Sequence, residues 1–222
     1  MGLGRVERRP ASLAGWLALV LALAALNYSA RLSAGKPPPN VLFHWDNAIG
    51  GLIEFAVIFG ILLLITRGDM ALLALRRPRS ISGSIGGGVL VLLGIYVLTA
   101  LLTPLLHPGR EQGLTPDRWL PAHTAPFVAN VIVVCVVAPF VEETTFRGVG
   151  FSLIAARFGA EPAIVGTALF FGLAHGLVEA LPLLVAFGIG LAWLRDRQDS
   201  TLPGMVVHGV FNALALLLSL TT

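Results

Sequence analysis

The residues able to do chemistry are concentrated in the C-terminal half of an otherwise apolar chain of 222 residues. The first group is Val141-Glu142-Glu143-Thr144-Thr145-Phe146-Arg147-Gly148. Adjacent carboxylates on a helix lie about 100° apart and cannot share one face. Glu143 and Arg147 are four residues apart, the spacing of an ion pair along a helix. That pairing leaves Glu142 free to face a bundle interior. A carboxylate in a low-dielectric site with a histidine nearby is suited to take a proton from water. A helix end where acids and an arginine meet lipid headgroups would carry the same residues, so this group alone leaves both readings open.

The second group is Phe170-Phe171-Gly172-Leu173-Ala174-His175-Gly176. A single histidine on an apolar helix is commonly a packing residue, but the spacing here points elsewhere. If the chain turns at about residues 159–161, Glu142 lies roughly 17 residues before the turn and His175 roughly 15 after it. At about 1.5 Å per residue, an antiparallel hairpin brings both to similar depth, provided the helix continues past Arg147. The third group is His208-Gly209-Val210-Phe211-Asn212. His208 and Asn212 are again four apart, on one helix face. Imidazole N–H and amide NH₂ are both donors that could hold the oxyanion of a tetrahedral intermediate. Asn212 could instead bond a neighbouring helix.

The elements that must position these groups are membrane helices. The chain is 56% hydrophobic and only 12% charged, with mean hydropathy +0.84, far from a soluble domain with about 25% charged residues. Seven apolar stretches, at 13–28, 49–66, 85–106, 127–147, 162–176, 181–194 and 202–220, predict an all-α, polytopic transmembrane helix bundle. Because six more follow the first stretch, it reads as an uncleaved helix rather than a signal peptide, despite the preceding Arg5, Arg8 and Arg9. Of the fifteen lysines and arginines, an N-terminus in the cytoplasm puts eleven inside and only Arg31, Lys36, Arg110 and Arg118 outside. The net charge of +3 and pI near 9.7 are therefore topogenic, and nucleic acid is not expected as a partner. Cys135 is the only cysteine, so no internal disulfide is possible. Residues 31–46 and 107–126 read as outer loops, and 70–75 as a segment in the membrane interface. The glycines of the third stretch read as helix-packing positions. In the N-terminal half Glu54 is the one acid within a span, read as a protonated helix-packing residue.

Taken together, Glu142-Glu143-x-x-x-Arg147, Phe171-x-x-x-His175 and His208-x-x-x-Asn212 resemble the signature of the CAAX protease and bacteriocin-processing (CPBP, or Abi) family, which includes the type II CAAX prenyl endopeptidase. The resemblance covers roughly residues 127–220, with no departure at the motif positions. Residues 1–110 match only in spanning the membrane. It implies that Glu142 and His175 activate water, that His208 and Asn212 stabilise the oxyanion, and that the substrate is a membrane-associated protein or peptide. The apolar spans with the Ala-, Gly-, Leu- and Arg-rich composition point to an integral protein of a bacterial plasma membrane. Zinc at Glu142, His175 and His208 is the less favoured alternative to a cofactor-free mechanism, since no His-Glu-x-x-His helix occurs. A non-catalytic scaffold or bacteriocin-immunity protein of the same fold is the alternative function, and a small proton-coupled transporter a third. Spans four, five and seven are expected to line the site, with Gly148, Gly172, Gly176 and Gly209 admitting substrate backbone. Eukaryotic relatives cut prenylated C-terminal tripeptides, but nothing in these residues indicates prenyl recognition.

Overall fold

The computed structural model describes residues 12–34, 40–106 and 119–219. Arg5, Arg8, Arg9, Lys36, Arg110, Arg118 and residues 35–39 and 107–118 of the two expected outer loops lie outside the described residues. No strand occurs among the described residues, and the chain is an all-α membrane helix bundle. Its helices are α1 (Leu13–Ala34), α2 (Trp45–Thr66), α3 (Ile81–Leu106), α4 (Pro121–Phe158), α5 (Ala160–Ala174), α6 (Leu181–Gln198) and α7 (Leu202–Ser219). Four of them, α1 to α4, are long and apolar enough to cross a bilayer.

Local chemistry sets several boundaries. Ser12 Oγ accepts from the Gly15 N–H at the start of α1, and Ser80 Oγ accepts from the Gly83 N–H at the start of α3, so each serine satisfies a helix-end donor. The α4–α5 turn falls at Gly159, whose φ of 89° suits glycine. The hairpin is therefore where the spacing of Glu142 and His175 requires it.

α4 differs most from expectation. Rather than ending near Arg147 it continues to Phe158, interrupted by two π-helical stretches, Val133–Val137 and Thr144–Gly150. The first sits just before Pro139, which has no N–H to donate. The Ala138 N–H bonds the Val133 carbonyl, so Val134 O has neither its four-apart nor its five-apart donor. In the second stretch the Thr144 and Thr145 hydroxyls donate to the carbonyls of Phe140 and Val141, which also accept from the Thr144 N–H, the back-bonding by which threonine loosens a helical turn.

Around α4 the other helices close a ring. α2 and α7 pack against α4, α3 against α6 and α7, α5 along α6, and α1 against α5 and α2. Trp16 of α1 is fully buried, donates Nε1–H to Thr145 O at 2.8 Å, and packs edge-on against Phe146 and Phe170. Only glycine fits opposite it: a Cβ at Gly150 would lie 2.4 Å from the indole.

Residues 70–75 dock partly into the bundle, with Met70 and Leu75 left exposed. Met70–Leu73 form a short 3-10 turn, and Leu73 and Ala74 are buried in the bundle. Thr201 Oγ1 donates to Leu73 O at 3.1 Å, Ser152 Oγ donates to Leu72 O, and Gly148 leaves room for the Leu73 backbone, which a Cβ would meet at 2.8 Å. Of the glycines in α3, Gly83, Gly87 and Gly88 sit against Gln198, Leu194 and Val207, whereas Gly94 meets nothing.

Candidate active site

α4, α5 and α7 bring the three polar groups to one place. Glu143 and Arg147 form the expected pair, 3.1 Å apart with both side chains fully buried. The guanidinium also donates to Gly188 O of α6 at 3.0 Å and lies 4.3 Å from the Phe171 ring centre. Buried charges persist only when paired and hydrogen-bonded, and Arg147 meets both conditions. His208 Nδ1 approaches the same Glu143 oxygen at 3.1 Å. A carboxylate accepts, so this nitrogen carries the proton.

Glu142 turns the other way, into a cavity of about 530 Å³ that His175, His208 and Asn212 also line. Its Oε2 lies 3.8 Å from His175 Nε2 and 3.7 Å from His208 Nε2. Both gaps are too long for a direct hydrogen bond and suit one bridging water. That oxygen is buried and has no partner within the protein. His175 Nδ1 lies 2.7 Å from Phe171 O. A carbonyl can only accept, so Nδ1 is the protonated nitrogen and a neutral ring turns its Nε2 lone pair toward Glu142. Phe171, also facing the His208 ring, completes an aromatic wall.

Asn212 lies on the same helix face as His208, and its Nδ2 donates to Val134 O at 2.8 Å. This is the carbonyl that Pro139 leaves without a backbone donor. An amide nitrogen carries two hydrogens, so one fixes α7 to α4 and the other remains available to the cavity.

Several contributors were invisible in the motifs. Asn27 of α1 donates to Ala174 O at 2.7 Å, pinning the end of α5 that carries His175. Arg195 of α6 donates Nε–H to the Arg147 carbonyl at 3.0 Å, inside the second π stretch. Asn130, fully buried, donates to Leu42 O, His44 O and Pro126 O and ties α4 to the segment preceding α2. A polar or charged residue within an apolar helix is the only sequence signal any of them gives.

Two expectations are corrected. Gly148, Gly172, Gly176 and Gly209 do not open onto a substrate path. Each is filled by the protein itself: by Leu73, by Val185 and Leu181, by Asn27, and by the Cys135 carbonyl. Glu54 does not pack between helices either; it is exposed on α2, within electrostatic range of Glu142. Spans four, five and seven do line the cavity, joined by residues of α6 such as Phe187 and by Phe55, Ile95 and Thr99 from the N-terminal helices.

Residues 124–214 match the family model described as type II CAAX prenyl endopeptidase Rce1-like. This segment is CAAX protease-like. It contains Glu143 and Arg147 of the buried pair and Glu142, His175, His208 and Asn212 of the cavity, and begins in the first turns of α4. No curated protein and no solved structure matches the chain. The CAAX protease-like family is a family of proteases, and the apolar helices make this chain an integral membrane protein. Among the described residues, no three His, Cys, Asp or Glu side chains are grouped so as to hold a metal ion.

Proposed function

We propose that the protein is an intramembrane glutamic endopeptidase that hydrolyses a peptide bond of a membrane-associated polypeptide without a cofactor. The observation that carries this reading is the partnerless Glu142 Oε2, 3.8 and 3.7 Å from two imidazole nitrogens in a cavity. A water placed there donates one hydrogen to Glu142 and the other to His175 Nε2, and turns its lone pairs toward the cavity. As its oxygen attacks the scissile carbonyl, Glu142 takes the proton. The negative charge moves to the carbonyl oxygen, where His208 Nε2–H and the second Asn212 N–H would hold it. With Nδ1–H committed to Glu143, His208 donates from Nε2 only as an imidazolium. Glu142 and Glu143 against Arg147 leave one negative charge in the site, which that extra proton balances. Collapse of the intermediate breaks the C–N bond, and the proton passes from Glu142 to the leaving nitrogen, giving a carboxylic acid and an amine, between which the acid's proton then passes to leave a carboxylate and an ammonium. Glu143 and Arg147 hold His208 and do not touch substrate.

The favoured setting is a bacterial plasma membrane with the N-terminus in the cytoplasm, from the excess of arginine at one end of the bundle. The test is cleavage of a membrane-peptide library by purified wild-type protein and by Glu142→Gln, with and without chelator. Cleavage by wild type alone, unchanged by chelator, supports the mechanism. Activity lost to chelator and restored by zinc would move Glu142, His175 and His208 to the role of ligands. Equal cleavage by both proteins would remove Glu142 from the chemistry.

A further inference from the structure

We propose that the cavity admits substrate from the membrane face opposite the arginine-rich end, so that the scissile bond lies on the outward-projecting flank of a membrane-anchored polypeptide. What happens at Glu142 rests on the protease reading above; the direction of entry rests on separate observations.

The first is where the cavity runs. Its wall is drawn from the second halves of α1, α3 and α7, the first half of α6, the end of α5 and the Val134–Glu142 stretch of α4, Arg31, Thr99, His175, Leu183 and Ala215 among them. These portions all point to the end of the bundle where α1, α3, α5 and α7 finish. Glu142 and His208 form its floor. No wall residue comes from 67–80, 147–170 or 188–207.

The second is what fills the other end. Beyond Glu142 the interior is occupied by Trp16, Arg147, Val149, Leu191 and Leu194, all fully buried, and by the docked Leu73 at 1% exposure. A peptide arriving from there would have to displace close-packed core.

The third is charge. Arg67, Arg76, Arg77, Arg79, Arg157 and Arg197 all sit at or beyond that closed end, whereas Arg31 is the only arginine or lysine at the open end among the described residues. Basic loops are retained in the cytoplasm, so the closed end is cytoplasmic and the open end is external. A prenylated tail presented from the cytoplasm would meet the sealed face. An external flank next to a membrane anchor meets the open one, and its apolar side chains match walls made of Ile95, Leu184, Phe187, Phe211 and Leu216.

Sidedness of access can be read without catalysis. Single cysteines are introduced as Thr99→Cys and Ala215→Cys in the cavity and Arg197→Cys at the closed end, each with Cys135→Ala and Glu142→Gln. Right-side-out and inside-out bacterial membrane vesicles are treated with a membrane-impermeant sulfonated maleimide. The expected result is at least about tenfold faster labelling of the two cavity positions in right-side-out vesicles, with Arg197→Cys showing the opposite preference. Cavity labelling that follows Arg197→Cys from either side would overturn the proposal. So would labelling of Arg197→Cys from outside, or cavity positions that react only after detergent solubilisation. Absence of wild-type cleavage would count against the protease reading and leave these labelling patterns unchanged.

Discussion

Two neighbouring glutamates have opposite fates, and the contrast is measurable. Each has one buried oxygen without a protein partner, but Glu143 is fully buried with its other oxygen between Arg147 and His208, whereas the Glu142 side chain is 20% exposed and faces the cavity. Glu142→Gln should reduce cleavage at least about 100-fold, the scale of a positioned general base, with thermal unfolding in detergent nearly unchanged. Glu143→Ala should instead destabilise by about 3–5 kcal/mol, because it strands a buried guanidinium; a wild-type melting curve for that variant would refute the assignment. Asn212 invites a double-mutant cycle. Asn212→Ala should cost about 1–3 kcal/mol by orphaning the Val134 carbonyl. With Pro139→Ala restoring a backbone N–H to that turn, the same change should cost markedly less. Equal costs in both backgrounds would mean that the amide acts elsewhere.

The elements were legible where they depend on local pattern. Seven helices, the Glu143–Arg147 pairing and the turn at Gly159 follow from hydrophobic length, helical spacing and one glycine. The end of α4 was misplaced because Arg147 looked like a charge marking the membrane boundary. Its charge is answered by Glu143 instead, so the helix runs on through it. The docking of residues 70–75 and the support from Asn27 and Arg195 depend on partners 48 to 147 positions away, and no local pattern announces them. The clasp at the closed end belongs to this scale. Asp199 receives hydrogen bonds from Arg76 and Arg195. Burial works against ionisation of its carboxyl, but those two arginines outweigh it and hold it below the usual carboxylate range. Its stabilising effect is therefore present above the unfolded-state value and is lost as pH falls through the lower folded-state one. Asp199→Asn should lower the melting temperature modestly at neutral pH, by an amount that shrinks in high salt, and should flatten the loss of stability on acidification. An unchanged acid limb would show that the clasp does not hold residues 76–80 against α6.

At the level of the whole molecule, the bundle is a cup: sealed and basic at one end, open at the other, with the reactive groups at its floor. The helices that build the floor also differ greatly in length. α4, at 38 residues, reaches about 57 Å, longer than the hydrocarbon core of about 30 Å even when tilted. α5, at 15 residues, reaches only about 22 Å and ends beside His175. One helix is too long for the bilayer and its partner too short, and lipid responds to such hydrophobic mismatch by deforming. Around the short helix the leaflet must thin, which draws headgroups and water down toward the imidazole without a channel through the protein. The acyl-chain length of the surrounding lipid thereby becomes a control on hydration of the site. Cleavage in vesicles should be fastest in short-chain lipids and decline as the chains lengthen, and a rate indifferent to thickness would mean that water reaches His175 through the cup alone.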